Sequence, residues 1–233
     1  MDRRTFLGAA LVLVPGAVAA APVRKQPVVL WSEFNASISP GYSALRQVHL
    51  VVYADGTAIA DTAATSSLGR STAAALARTV AGLIRKHPHP HPNGPVGGAT
   101  TELESWLGAH HFSGPVAAPP GTLAAHRAWI DAHGTPYAPD AVRLIVVKDP
   151  NTTGAPRPWP QTVPVPVLRR GTTWTQTDLT GAAAAAVARG MTHDDPADWH
   201  TYRMPDGSHL TATWRRMLPH ELHAVPGSHG AAP

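Results

Sequence analysis

The stretch QVHLVVYADGTAIADT, Gln47–Thr62, constrains the fold more than any other part of the chain. Two β-rich runs flank Asp55-Gly56, and an Asp-Gly pair tolerates the positive φ angles of a tight type I′ turn. A hairpin is expected here, and with it an antiparallel sheet. A second hairpin is expected over His200–Leu218, turning at Pro205-Asp206-Gly207. Tyr202, Met204, Leu210, Ala212 and Trp214 then supply its buried face. Thr100–Val116 admits two readings. Thr101 and Glu104 can box the start of a short helix, or Gly108-Ala109 can turn a hairpin. The missing helical periodicity favours the hairpin.

Three helices are expected between these hairpins. In Ser71–Lys86, Ser71 is placed to cap, and Leu76, Val80, Leu83 and Ile84 share one face, with Arg78 and Arg85 off it. His87-Pro88 ends it, because a residue before proline disfavours helical backbone. Thr122–Pro136 reads as a helix capped by Thr122 and stopped at Gly134. Thr177–Gly190 reads as a third. Gln26–Asn35 and the continuous apolar run Ala141–Asp149 read as strands, the latter central. A loop rich in Pro and Thr follows at Pro150–Pro166. Hairpins and helices are interspersed without the regular rhythm of a parallel sheet. The expected class is therefore α+β, a largely antiparallel sheet built from hairpins with about three helices packed on it. One such domain is expected over 26–219, with a His-Pro linker at 87–99 and a disordered tail at 220–233.

The chain opens MDRRTFLGAALVLVPGAVAAAPVRK. A charged start, a short apolar centre and an Ala-x-Ala exit form the layout of a cleaved signal over 1–21. Arg3-Arg4 followed by Phe6-Leu7 resembles the twin-arginine export signal. Export across the cytoplasmic membrane, to the envelope or beyond, is the expectation that follows. The apolar run is short and broken by Pro15-Gly16, so no transmembrane segment is expected in the mature chain. The chain has no cysteine. That excludes disulfides, thiolate catalysis, zinc ribbons, iron–sulfur clusters and a lipidated cysteine. The fold must be held by its apolar core, and about 210 residues after processing suffice for one.

Charged residues make up 15% of the chain and the formal charge is +4. The cations are scattered, with short pairs such as Arg169-Arg170 and Arg215-Arg216, and no basic run alternates with aromatics. Nucleic acid is not an expected partner. The 14 histidines make the surface charge depend on pH below neutrality.

Several of those histidines cluster. His193, Asp194, Asp195, Asp198 and His200 form the densest set of possible ligands, suited to Zn, Cu or Mn. The competing reading is an Asp-rich turn between helix and hairpin. His87, His89 and His91 alternate with prolines. Polyproline geometry has three residues per turn, so alternate imidazoles do not share a face. They suit weak metal binding, or none in a stiff linker. His220, Glu221 and His223 fall one residue short of a zinc-peptidase spacing, and a tail is expected there instead. His126 shares a helix face with Leu123 and Ile130, and His133 sits in a last helical turn where a cation complements the dipole. His110 and His111 point to opposite faces if they lie on a strand. Glu102 and Glu104 share a face, which admits either a carboxylate-pair site or a solvated strand. Trp31, Trp129 and Trp214 are expected in the core, and Trp159, between two prolines, on the surface. No nucleophile elbow and no phosphate loop is present in the sequence.

The segments MDRRTFLGAA, VVYADGTAIA, YAPDAVRLIV and YRMPDGSHLTATWRRMLPHE resemble a family of small exported proteins of high-GC, actinobacterial-type bacteria. The resemblance implies export and carries no activity to any residue. The leading expectation is an exported, non-catalytic binding or envelope-associated module with a cell-envelope partner. A metal-handling protein using the His/Asp loop is the alternative, and a secreted hydrolase the third.

Overall fold

The computed structural model describes residues 25–34, 41, 44–86, 100–148, 155–191 and 199–222. Its first half forms β1 (Pro27–Phe34), β2 (Gln47–Tyr53), β3 (Thr57–Ala60), β4 (Ala64–Ser67), α1 (Arg70–Lys86), β5 (Thr100–Leu107), β6 (His110–Val116), α2 (Gly121–His133) and β7 (Thr135–Pro136). These strands make a seven-stranded sheet in the order β6-β5-β1-β2-β3-β4-β7, antiparallel throughout. The second half forms β8 (Ala141–Val147), β9 (Arg157–Pro158), β10 (Trp174–Thr180), α3 (Gly181–Gly190), β11 (His200–Arg203) and β12 (His209–Arg216). They make a five-stranded sheet in the order β10-β8-β12-β11-β9, in which only the β11–β9 pair is parallel. The fold is α+β, as the hairpins imply, but with two sheets where one was expected.

Each sheet has its own helical cover. Leu76, Val80 and Ile84 of α1, with Leu123 and Ile130 of α2, pack on Val29, Leu50, Val52 and Leu103. Ala184 and Val187 of α3 pack on Val142, Leu144 and Val146 with Trp159 and Tyr202. The opposite faces interlock. Leu45, just before β2, buries itself against Ile145 and Val147 of the second sheet. Leu218, just after β12, joins Val51, Tyr53 and Ile59 of the first. β2 and β8 are thus covered on both faces, which is why both read as continuous apolar runs. Gly41 fits this seam because a Cβ there would lie 2.7 Å from both Trp174 and Val147.

Several local expectations are corrected. In the β2–β3 turn only Gly56 has positive φ, 88°. Asp55 instead accepts the Thr57 N–H at 2.9 Å and pairs with Lys25, so the turn is not type I′. Helix α1 starts at Arg70, one residue ahead of the expected Ser71 cap, and Gly69 O accepts the Ala73 N–H. Helix α2 starts at Gly121 on the carbonyl of Pro120, with no side-chain cap, so Thr122 lies inside it. Thr177–Thr180 belong to a strand, not a helix. The threonine-rich run has no apolar helical face and pairs with β8, and Gly181, at φ 55°, turns the chain into α3. Trp159 is buried, at 6%, while Trp129 stands 47% exposed on α2, the reverse of expectation.

Candidate functional site

A cleft of about 440 Å³ lies between the Pro-rich segment before β10 and the β11–β12 hairpin. That volume falls within the roughly 300–1,000 Å³ of small-molecule sites. Val165, Pro166 and Leu168 form one wall, and Met204, Pro205 and Leu210 the other. Hydrogen bonds hold the start of the first wall and the turn of the second. Trp159 anchors the first wall. Its backbone N–H donates to Arg203 O, its indole Nε1–H donates to Val163 O at 3.0 Å, and its ring meets Tyr202 edge-on. In the second wall, Gly207 takes φ 84° and Asp206 Oδ1 accepts both the N–H and the hydroxyl of Ser208. Those two bonds hold the Asp206 carboxyl below the usual range. Lys148 and His209 line the rim.

A second polar cluster is built on a β-bulge. Trp31 pairs with Leu50 and Ser32 with Val48, so His49 is the extra residue of β2. The bulge turns its ring onto the helix-covered face, against Trp31 at 4.8 Å. His49 Nδ1 lies 3.2 Å from Asp61 Oδ1 and Nε2 lies 3.2 Å from Glu33 Oε2. Arg127 of α2 donates to Asp61 Oδ2 at 2.8 Å and stacks over Trp31. Burial works to raise the Asp61 carboxyl, but the bonds from His49 and Arg127 outweigh it and hold it low. Asp61 and Thr62 adopt φ 47° and 52°, which is unusual for any non-glycine and strained for a β-branched residue. The carboxylates flank opposite edges of one imidazole, so they cannot converge with it on one ion. The cluster ties β1, β2 and α2 together.

The third cluster closes the seam between the sheets. Glu221 receives Arg215 at 2.5 and 2.7 Å, Arg143 at 2.8 Å and the Leu218 N–H at 2.8 Å. Arg143 also grips Asp178 through two bonds. Burial would raise the Glu221 carboxyl, yet the two guanidiniums hold it at about 2. Tyr53 meets His220 Nδ1 at 2.9 Å, and Tyr137 donates to Met217 O at 2.6 Å. Burial pushes both phenols up. His220–Leu222 therefore do not begin a frayed tail.

The residues singled out by sequence divide as follows. His193, Asp194, Asp195 and Asp198, together with His87, His89 and His91, lie outside the described residues, as do Arg3, Arg4, Phe6 and Leu7. His200 opens β11 opposite Ala212, and its Nε2 is buried with no partner among the described residues. Among the described residues, no three His, Asp or Glu side chains converge as a metal-ligand set. Glu102 and Glu104 do share a face, but Arg46 bridges both and His111 closes on Glu104 at 2.9 Å while stacking on Trp106. They stand side by side on one strand, not across a gap as a glycosidase pair must. His126 is half-buried on the face of Leu123 and Ile130, and His133 Nδ1 lies 3.0 Å from Trp129 O at the end of α2.

Sequence reading missed Glu33, His49, Asp61 and Arg127, and the Glu221 clamp. The first set is scattered over three elements and one turn and meets only through a bulge that no local pattern announces. The cleft had one legible sign, the Pro-rich segment beside a Gly-turned hairpin. No helix among the described residues is long and apolar enough to cross a membrane. No protein-family model matches the chain, and neither a curated protein nor a solved structure is significantly similar to it.

Proposed function

We propose that the chain is an exported binding module without catalysis of its own, holding a small ligand in the cleft between the Pro-rich segment and the β11–β12 hairpin. The observation that carries this reading is the cleft itself, an open, largely apolar concavity with Lys148, Asp206, Ser208 and His209 in its lining. The His49 and Glu221 clusters pair their charged groups with one another, as structural ties do. The Arg3-Arg4 signal supports delivery to the envelope or beyond. A thermal-shift screen of sugars, peptides, nucleotides and amphiphiles tests the reading, because a ligand that binds only the folded state raises the melting temperature. A ligand whose effect disappears in Val165→Asp supports it. A screen without any stabilising compound ends it. Export is tested with Arg3→Lys/Arg4→Lys, which should leave the chain uncleaved in the cytoplasm.

A metal-handling reading keeps one observation, the buried Nε2 of His200, which has no hydrogen-bond partner among the described residues. Elemental analysis of untagged exported protein decides it. About one equivalent of Zn, Cu or Mn that disappears in His200→Ala supports this reading, and background metal rejects it.

A further inference from the structure

We infer that the cleft takes a single-chain anionic amphiphile, an apolar tail ending in a carboxylate or phosphate; this rests on the binding reading above. The tail is matched by the walls, where Val165, Leu168, Met204 and Leu210 present hydrocarbon. Val165 and Val167 stand 53% and 81% exposed on the Pro-rich wall, which leaves apolar surface for a ligand to cover.

The head group is set by the charges. Lys148 lines the cleft, and among the described residues its ammonium has neither an ion pair nor a hydrogen bond. His209 lines it too, directly opposite Arg203 across the hairpin, so the two side chains share one face. Arg203 is exposed and has no acidic partner among the described residues. Arg169 and Arg170 follow Leu168 immediately, which keeps their Cα atoms within about 8 Å of a wall residue. Both are exposed and without carboxylate partners among the described residues. Among the described residues, Asp206 is the only acid in the cleft lining, and its Oδ1 is already held by Ser208. Among the described residues, the lining carries Lys148 without an acidic partner and Asp206 with one oxygen engaged by Ser208, and the exposed Arg169 and Arg170 follow the wall, a balance that favours an anion over a cation. Concave walls select a molecule that enters, not a flat surface that the protein lies against.

The test titrates the full chain calorimetrically with dodecanoate, dodecyl phosphate, dodecyl maltoside and dodecyltrimethylammonium, each below its micelle concentration. Dodecanoate and dodecyl phosphate should bind one site at least about tenfold tighter than the cation. Lys148→Gln should weaken both by about tenfold, and Val165→Asp should abolish binding. Both side chains are exposed, so neither variant should shift thermal unfolding. Equal affinity for all four head groups overturns the anionic assignment and leaves the binding module standing. No binding of any amphiphile, with a ligand of another class found in the screen above, overturns the inference alone. Silence in both experiments overturns both. Dodecanoate binding that survives both substitutions, or binding only to phosphatidylglycerol vesicles, overturns the cleft as the site.

Discussion

Glu221→Gln is the substitution with the clearest expected cost. It preserves shape and removes one charge from the seam between the sheets. The Glu221 carboxyl lies at about 2 against an ordinary 4.5. At about 1.36 kcal/mol per unit, the folded state gains about 3 kcal/mol from its ionisation. The loss should fall mainly on Arg215. Arg143 keeps both bonds to Asp178, whereas Arg215 is 4% exposed and retains only its bond to Arg216 O. Breaking a buried pair from one side costs about 3–5 kcal/mol, which agrees in size. For a chain of this length the melting temperature should fall by about 6–12 °C at pH 7. The sign with pH is fixed. A depressed carboxyl contributes stability above its unfolded value and loses it as pH falls through the folded one. The wild type should therefore lose this stability between pH 4.5 and about 2, and its gap from the variant should close over that window. Urea unfolding of both proteins across that range is the assay. Arg215→Met added to Glu221→Gln should recover part of the loss, because no uncompensated charge remains buried. A variant within about 0.5 kcal/mol of wild type at pH 7 would refute the reasoning. So would a gap that persists unchanged at low pH.

Gly134→Ala should cost about 2 kcal/mol by urea midpoint, because its Cβ would lie 2.5 Å from Ile130 O and 2.9 Å from Thr65 O. Its φ of −72° is ordinary, so the cost comes from backbone proximity alone. Trp159→Phe should lose about 1 kcal/mol with the Nε1–Val163 bond and loosen the first wall of the cleft. Faster proteolysis within 160–168 would report that loosening. Asp61→Asn should destabilise by about 1–2 kcal/mol at neutral pH and by less in acid, since the depressed Asp61 carboxyl stabilises only while ionised. A pH-independent loss would contradict that account.

The fold was legible where one residue type decides a local conformation. Asp55-Gly56, Gly108 and Asp206-Gly207 each turn a hairpin, and all three hairpins form. The buried face that alternation assigns to the β11–β12 hairpin is the one observed, from Tyr202 to Trp214. Helix α3 was misplaced at its start because Thr177–Thr180 and the alanines after them were read as one run. Pairing with β8, a tertiary event, takes the threonines into a strand. Two sheets were not foreseen because nothing in the order of hairpins says where a sheet ends. Trp159 was misjudged for a related reason. Flanking prolines suggest a surface loop, but the short parallel pairing of β9 with β11 draws the indole inward. The site residues were least legible. His49 owes its direction to one extra residue in a strand, and Glu221 owes its partners to two other strands.

The position of Glu221 in chain order has a consequence for biosynthesis. Among the described residues, both sheets and the three helices precede it. While the chain is being made, Arg143 and Arg215 emerge before the carboxylate that neutralises them, and Tyr53 waits about 170 residues for His220. Nascent intermediates therefore carry an Arg215 without its carboxylate and an Arg143 held by Asp178 alone at the place where the sheets must meet. Docking of the halves gains this clamp only once Glu221 has left the ribosome. A chain stalled or truncated before residue 221 should expose the seam to proteases, although every strand has already been made.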